Sequence, residues 1–130
     1  MPTREVRMVP ANWEHPKNAY GKYKPLLNFN QFAGDLKEFN NFAMNHGEKA
    51  AIADMGRRPR QDYYMPEWTG DEKTHYMMYE VTSEGTPISP ACETPEQLAH
   101  YLHDNHETWF AGFELSYEEW LDDITRMVRK

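Results

Sequence analysis

"THYMMYEVTSEGTPISPACETPEQLAHYL", residues 74–102, contains the change of period on which the fold turns. Its opening alternates as a strand does, with Met77, Tyr79 and Val81 on one face and Tyr76, Met78, Glu80 and Thr82 on the other. Ser83-Glu84-Gly85 follows as a turn in which glycine can take a positive φ, and "TPISPACE" returns antiparallel. Pro87 and Pro90 have no N–H for a ladder, so this second strand is an edge or irregular. Thr94-Pro95-Glu96-Gln97 then starts a helix. Thr94 at the N-cap accepts from the Gln97 amide, Pro95 fills the first helical position, and Gln97 reaches back as in a capping box. Leu98, Tyr101 and Leu102 bury one side of that helix.

Upstream, "REVRMV" (Arg4–Val9) alternates as a short half-exposed strand that Pro10 ends. "ANWEHPKNAYGKYKPLL" carries Pro16, Gly21 and Pro25 among aromatics, which predicts an extended excursion packed by Trp13, Tyr20 and Tyr23 that wraps the domain. From Phe29 the period becomes helical: Phe29, Phe32, Ala33, Leu36, Phe39 and Ala43 share one face, with Asn28 or Asn30 as cap and Gly47 as stop. "EKAAIADM" continues as a second short helix, and residues 56–74 read as a long loop. Near the C-terminus, Ser116-Tyr117-Glu118-Glu119 repeats the capping box ahead of a stripe of Tyr117, Trp120, Leu121, Ile124 and Val128. Arg126, Arg129 and Lys130 suit that helix's negative end. The expectation is an α+β single domain over residues 1–130, a small antiparallel sheet covered by about three helices.

Eight tyrosines, six phenylalanines, four tryptophans and eight methionines predict an aromatic, Met-rich core in this 130-residue chain. The single cysteine, Cys92, excludes an internal disulfide and a cysteine zinc cluster, and fits a reducing cytosol. No stretch approaches the roughly 20 apolar residues that span a bilayer. The net charge of −7 is uneven, since residues 1–60 sum to +4 and residues 61–130 to −11. If the halves formed separate faces, the molecule would be electrically two-sided.

Few motifs carry chemistry. The Glu84–Pro90 loop lacks the glycines and lysine of a phosphate loop. With His15, its residues Glu84, Gly85, Thr86 and Ser89 are the candidates for an alternative small-molecule or nucleotide site. His100, His103 and His106 recur at three-residue steps near Asp104 and Glu107, but they drift by about 60° per step around a helix, so no metal site is assigned. Cys92, placed before a helix, reads as a small buried hydrophobe, and no catalytic residue or cofactor is assigned. "GRRPRQDYYMPEW" is sharper: Arg57, Arg58 and Arg60 precede Tyr63, Tyr64 and Trp68, a composition suited to a partner-binding anchor. Opposite in sign, Asp104, Glu107, Glu114, Glu118, Glu119, Asp122 and Asp123 supply a surface able to imitate phosphate charge.

"REVRMVPANWEHPK", "MYEVTSEGTPISPACETPEQLAHYL" and "SYEEWL" together resemble a family of small proteins encoded by tailed bacteriophages. The pattern is Arg-x-Val, Trp-x-His-Pro, Glu-Gly-Thr-Pro-x-Ser-Pro and a Thr-Pro-Glu helix start, matched by Arg4, Trp13, His15, Pro16, Glu84, Gly85, Thr86, Pro87, Ser89 and Pro90. It covers both ends of the chain and leaves residues 28–73 unmatched. The resemblance implies no activity. It implies origin, an accessory protein made in the bacterial cytoplasm during infection. Binding of a host or phage protein is expected from composition and charge instead, through Arg57, Arg58, Arg60, Tyr63, Tyr64 and Trp68 and the acidic Glu118, Glu119, Asp122 and Asp123. Neither direct nucleic-acid binding nor a membrane is expected, and a virion or tail-assembly part is a further alternative.

Overall fold

Strand β1 (Arg4–Val9) pairs antiparallel with β2 (His75–Glu80), Arg4 standing opposite Glu80 and Val9 opposite His75. The computed structural model describes residues 3–110 and 112–128, Phe110 in its backbone only; Arg129 and Lys130 lie outside the described residues. A short β3 (Thr86–Pro87) pairs with the other side of β2, giving the order β1-β2-β3. Beyond Pro87 the edge is irregular, as the prolines require. The Ile88 amide still donates to the Met78 carbonyl at 2.9 Å, and Tyr76 and Cys92 exchange two backbone bonds of 2.7 and 2.8 Å. Between these pairings the Ser89 hydroxyl accepts the Met78 amide at 2.9 Å, standing in for a ladder carbonyl.

The remaining elements are α1 (Phe32–His46), entered through a 3₁₀ turn at Phe29–Gln31, α2 (Glu48–Met55), α3 (Pro95–Asp104), β4 (Thr108–Phe110), β5 (Phe113–Glu114) and α4 (Tyr117–Val128). The architecture is α+β. The chain divides into two compact units, Leu26–Glu67 and the remainder, which holds the sheet, α3 and α4.

In the sheet unit, Met78 packs with Leu98, Ala99, Leu102, Trp120, Ile124 and Cys92, with Val6 and Tyr76 against them. Both helix starts form as local chemistry dictates. Thr94 accepts the Gln97 amide at 3.1 Å, and Ser116 and Glu119 exchange bonds of 2.9 and 3.2 Å. The Gln97 side chain reaches back one residue further than a capping box, accepting from the Glu93 amide at 3.0 Å. β4 and β5 make a hairpin between α3 and α4, tied to β1 by Arg4 Nε donating to the Thr108 carbonyl at 3.0 Å. The alternation in β2 holds, but both faces are covered, for Met77, Met78 and Tyr79 are all buried.

In the second unit α1 packs on α2 through Phe39 and Ala51. Gly47 and Gly56, at φ of +92° and +89°, end the two helices. The expected apolar stripe of α1 is only partly buried. Phe39 is fully covered, Phe29, Phe32, Leu36 and Ala43 are half-buried, and Ala33 is exposed. Residues 56–67 run as an extended segment with a 3₁₀ turn at Gln61–Tyr63 and a parallel bridge from Tyr64 to Leu27. Among the described residues no helix is long and apolar enough to cross a membrane.

Candidate functional site

The face of the sheet turned away from α3 and α4 carries Arg7, Met77 and Tyr79, and the segment after β1 folds back over it. Trp13 and His15 are two residues apart, and both side chains reach the same neighbour. Trp13 Nε1–H donates to the Tyr79 hydroxyl at 3.1 Å, and His15 Nδ1 lies 3.0 Å from that oxygen. His15 Nε2 lies 2.6 Å from the Lys24 carbonyl. A carbonyl can only accept, so Nε2 carries the proton and Nδ1 accepts the Tyr79 O–H. Arg7, itself buried, sets its guanidinium 4.4 Å from the Tyr79 ring centroid and its Nε 2.6 Å from Glu5 Oε2.

Burial holds His15 below the ordinary imidazole range; the Lys24 hydrogen bond opposes this and the Arg7 charge adds to it. Burial likewise pushes the Tyr79 phenol up to about 12, against the Trp13 hydrogen bond and Arg7. The network is neutral at pH 7 apart from its Arg7–Glu5 pair. Beside it opens a cleft of about 1200 Å³, lined among others by Trp13, His15, Tyr23, Ser89, Tyr101 and Glu107. Tyr23 stands edge-on to His15 at 5.6 Å. Tyr20, expected to pack, is instead 88% exposed. It sits on a turn held by Asn18 Oδ1, which accepts the Tyr20 and Lys22 amides.

Of the alternative ligand residues, His15 and Ser89 line this cleft, whereas Glu84, Gly85 and Thr86 do not. Ser89 is engaged by the Met78 amide and by the Pro90 carbonyl, to which it donates at 2.9 Å. Thr86 belongs to a turn network in which the Ser83 hydroxyl lies 3.0 Å from Thr86 Oγ1 and 3.0 Å from Glu80 Oε2. Glu80 also accepts from Thr82; partial burial raises its pKa, but these bonds outweigh it and hold the carboxyl low. Glu84 and Gly85 turn the chain with φ of 76° and 132°.

No known protein family, curated protein or solved structure matches the chain. The charged surfaces must therefore be read from their own chemistry.

The arginine segment is locally engaged. Arg57 and Arg60 lie 4.0 and 5.4 Å from the Tyr63 ring centroid, Arg60 pairs with Asp62 at 3.1 Å, and Arg58 pairs with Glu48. Tyr64 is buried, donating its hydroxyl to Asp35 at 2.7 Å, so it belongs to the core. Trp68 belongs to the sheet unit, edge-on to Trp13 at 4.9 Å.

The acidic surface is more open. Residues 74–125 contain eleven Asp or Glu and no Lys or Arg. Because α3 and α4 turn Leu98, Leu102, Trp120 and Ile124 inward, Glu96, Asp104, Glu118, Glu119 and Asp122 are left exposed, as is Glu114 in β5. Arg126 pairs with Asp122 at 2.9 Å and with Asp123. Partial burial raises the Asp123 pKa, while Arg126 pulls it the other way. Phe113, in the hairpin joining these helices, is 67% exposed.

His100 stacks on Tyr117 at 4.1 Å, His103 lies 3.2 Å from Asp104, and His106 lies 3.0 Å from Glu114. Among the described residues no three His, Cys, Asp or Glu gather as metal ligands. The Cys92 thiol is buried, and burial pushes its pKa up. Arg7, Tyr79 and Phe113 carry no site role legible in the sequence; the Trp13-x-His15 spacing was the one signal near the first two.

Proposed function

We propose that this is a phage-encoded accessory protein that binds a host or phage protein in the bacterial cytoplasm and alters its activity, chiefly by inhibition. The observation that carries the reading is the exposed Phe113 set between two helices whose outer surfaces bear carboxylates. An aromatic anchor within a charged rim is the anatomy of a protein interface. A dense carboxylate array complements a basic groove of the kind a nucleic-acid-processing or defence factor uses for phosphates. Arg57, Arg58 and Arg60 are paired within their own unit and act at most at the rim, where charges tune rate and salt dependence more than affinity.

Affinity capture of the tagged chain from uninfected and infected bacterial lysates, at low and high salt, tests this. One stoichiometric partner, released at high salt, is the expected result. A chain that captures nothing from either lysate, or a partner indifferent to salt, counts against electrostatic docking.

A further inference from the structure

We infer that the cleft beside the Trp13–His15–Tyr79 network is a binding site for a guanidinium group carried on an uncharged body. Several polar groups of its wall are already engaged. The indole N–H of Trp13 is engaged by Tyr79, the ring N–H of His15 by the Lys24 carbonyl, and the Ser89 hydroxyl by the Pro90 carbonyl. Pro16, Pro87 and Pro90, also in the wall, have no N–H at all. Lys17, Asn12 and the hydroxyls of Tyr23 and Tyr101 remain as side-chain donors. Lys17 already lies 5.1 Å from the Tyr23 ring centroid. A phosphate or carboxylate would meet one cation, Lys17, against the two carboxylates of Glu14 and Glu107.

A cation meets the reverse. Trp13, Tyr23 and Tyr101 offer ring faces and edges, and Glu14 and Glu107 offer carboxylates to the same cleft. Aromatic rings attract cations through their quadrupole, and the planar guanidinium both stacks on rings and forks to carboxylates. The molecule makes this contact itself elsewhere, with Arg7 on Tyr79 and Arg57 on Tyr63. The volume of about 1200 Å³ accommodates more than one side chain, and the prolines give it rigid walls. The guanidinium can belong to a small molecule or to an arginine of a bound peptide. The site is distinct from Phe113 and the outer surface of α4.

The test is an NMR titration of the full chain with three probes: N-acetylarginine amide, a capped Pro-Arg-Pro peptide and inorganic phosphate. Saturable shifts at the Trp13 indole and at residues 11–17 and 88–91 are expected with both guanidinium probes, and none with phosphate. Binding weakens about fivefold or more in Glu14→Gln/Glu107→Gln, as loss of about 1 kcal/mol implies. That variant replaces solvent-accessible carboxylates, and an unchanged urea midpoint shows its fold intact. A peptide bound much more tightly than the amide identifies a partner's arginine segment; equal binding identifies a small guanidinium ligand. No saturable shift, phosphate binding as well as guanidinium, or an unaffected double variant would overturn the assignment.

Discussion

Tyr79 is the residue on which the outer face of the sheet depends, since its hydroxyl serves both Trp13 and His15 while its ring carries Arg7. Tyr79→Phe leaves two polar groups without that partner and is expected to cost about 2–3 kcal/mol, read as a lower urea midpoint at an unchanged slope. The pH dependence follows from the two titrating members. His15 is held below its unfolded value of 6.5, so its contribution is complete above that pH and is lost as pH falls toward the folded pKa. Tyr79 is raised from 10.0 to about 12, so its contribution is complete below pH 10 and is lost as pH rises through that window. In His15→Gln the loss of stability between pH 7.5 and 5.5 should be smaller than in the parent chain; an identical loss would assign it to other groups. At this scale the sequence was least legible. Tyr63 and Tyr64 are neighbours in one loop, yet Tyr63 receives arginines while Tyr64 reaches Asp35 from the core. Composition cannot separate an aromatic hot spot from a core anchor.

Elements were legible where their causes are local. Strand β1 spans the alternating Arg4–Val9, and α3 and α4 begin at their capping residues, because a cap is decided within four residues. What depended on distant partners was not legible. The antiparallel pairing of β1 with β2 joins residues some seventy apart, and the β4–β5 hairpin has too few residues for an alternating pattern. Ser89 shows the same limit: in sequence it belongs to a possible ligand loop, whereas in the fold it completes the ladder at Met78. Ser89→Ala should therefore cost about 1–3 kcal/mol by stranding the buried Met78 amide. Ser116→Ala removes a cap open to water and should cost about 1 kcal/mol. Urea titrations of both variants check the order. A Ser89→Ala chain as stable as the parent would show that water or a shifted strand replaces the hydroxyl.

Across the whole molecule, the basic and acidic halves of the sequence do not become the two compact units, because residues 1–25 and 68–130 belong to one of them. The Leu26–Glu67 unit carries five Lys or Arg and six Asp or Glu, a near balance, and its arginines pair inside it. The excess of carboxylates falls on the sheet unit, above all from β2 to α4, where the fold leaves them exposed on the two helices and on the hairpin that carries Phe113. This surface, rather than the arginine segment, is proposed to hold the partner. The most direct test compares two variants against the captured partner at one low salt concentration: Phe113→Ser/Glu118→Lys/Asp122→Lys, and Arg57→Glu/Arg58→Glu/Arg60→Glu. Loss of about tenfold or more in affinity is expected for the first, since a central aromatic and reversed charges together are worth more than about 1.4 kcal/mol. The second should change affinity by only a few-fold. Binding that survives the first variant and fails in the second would contradict the account and return the anchor to the arginines.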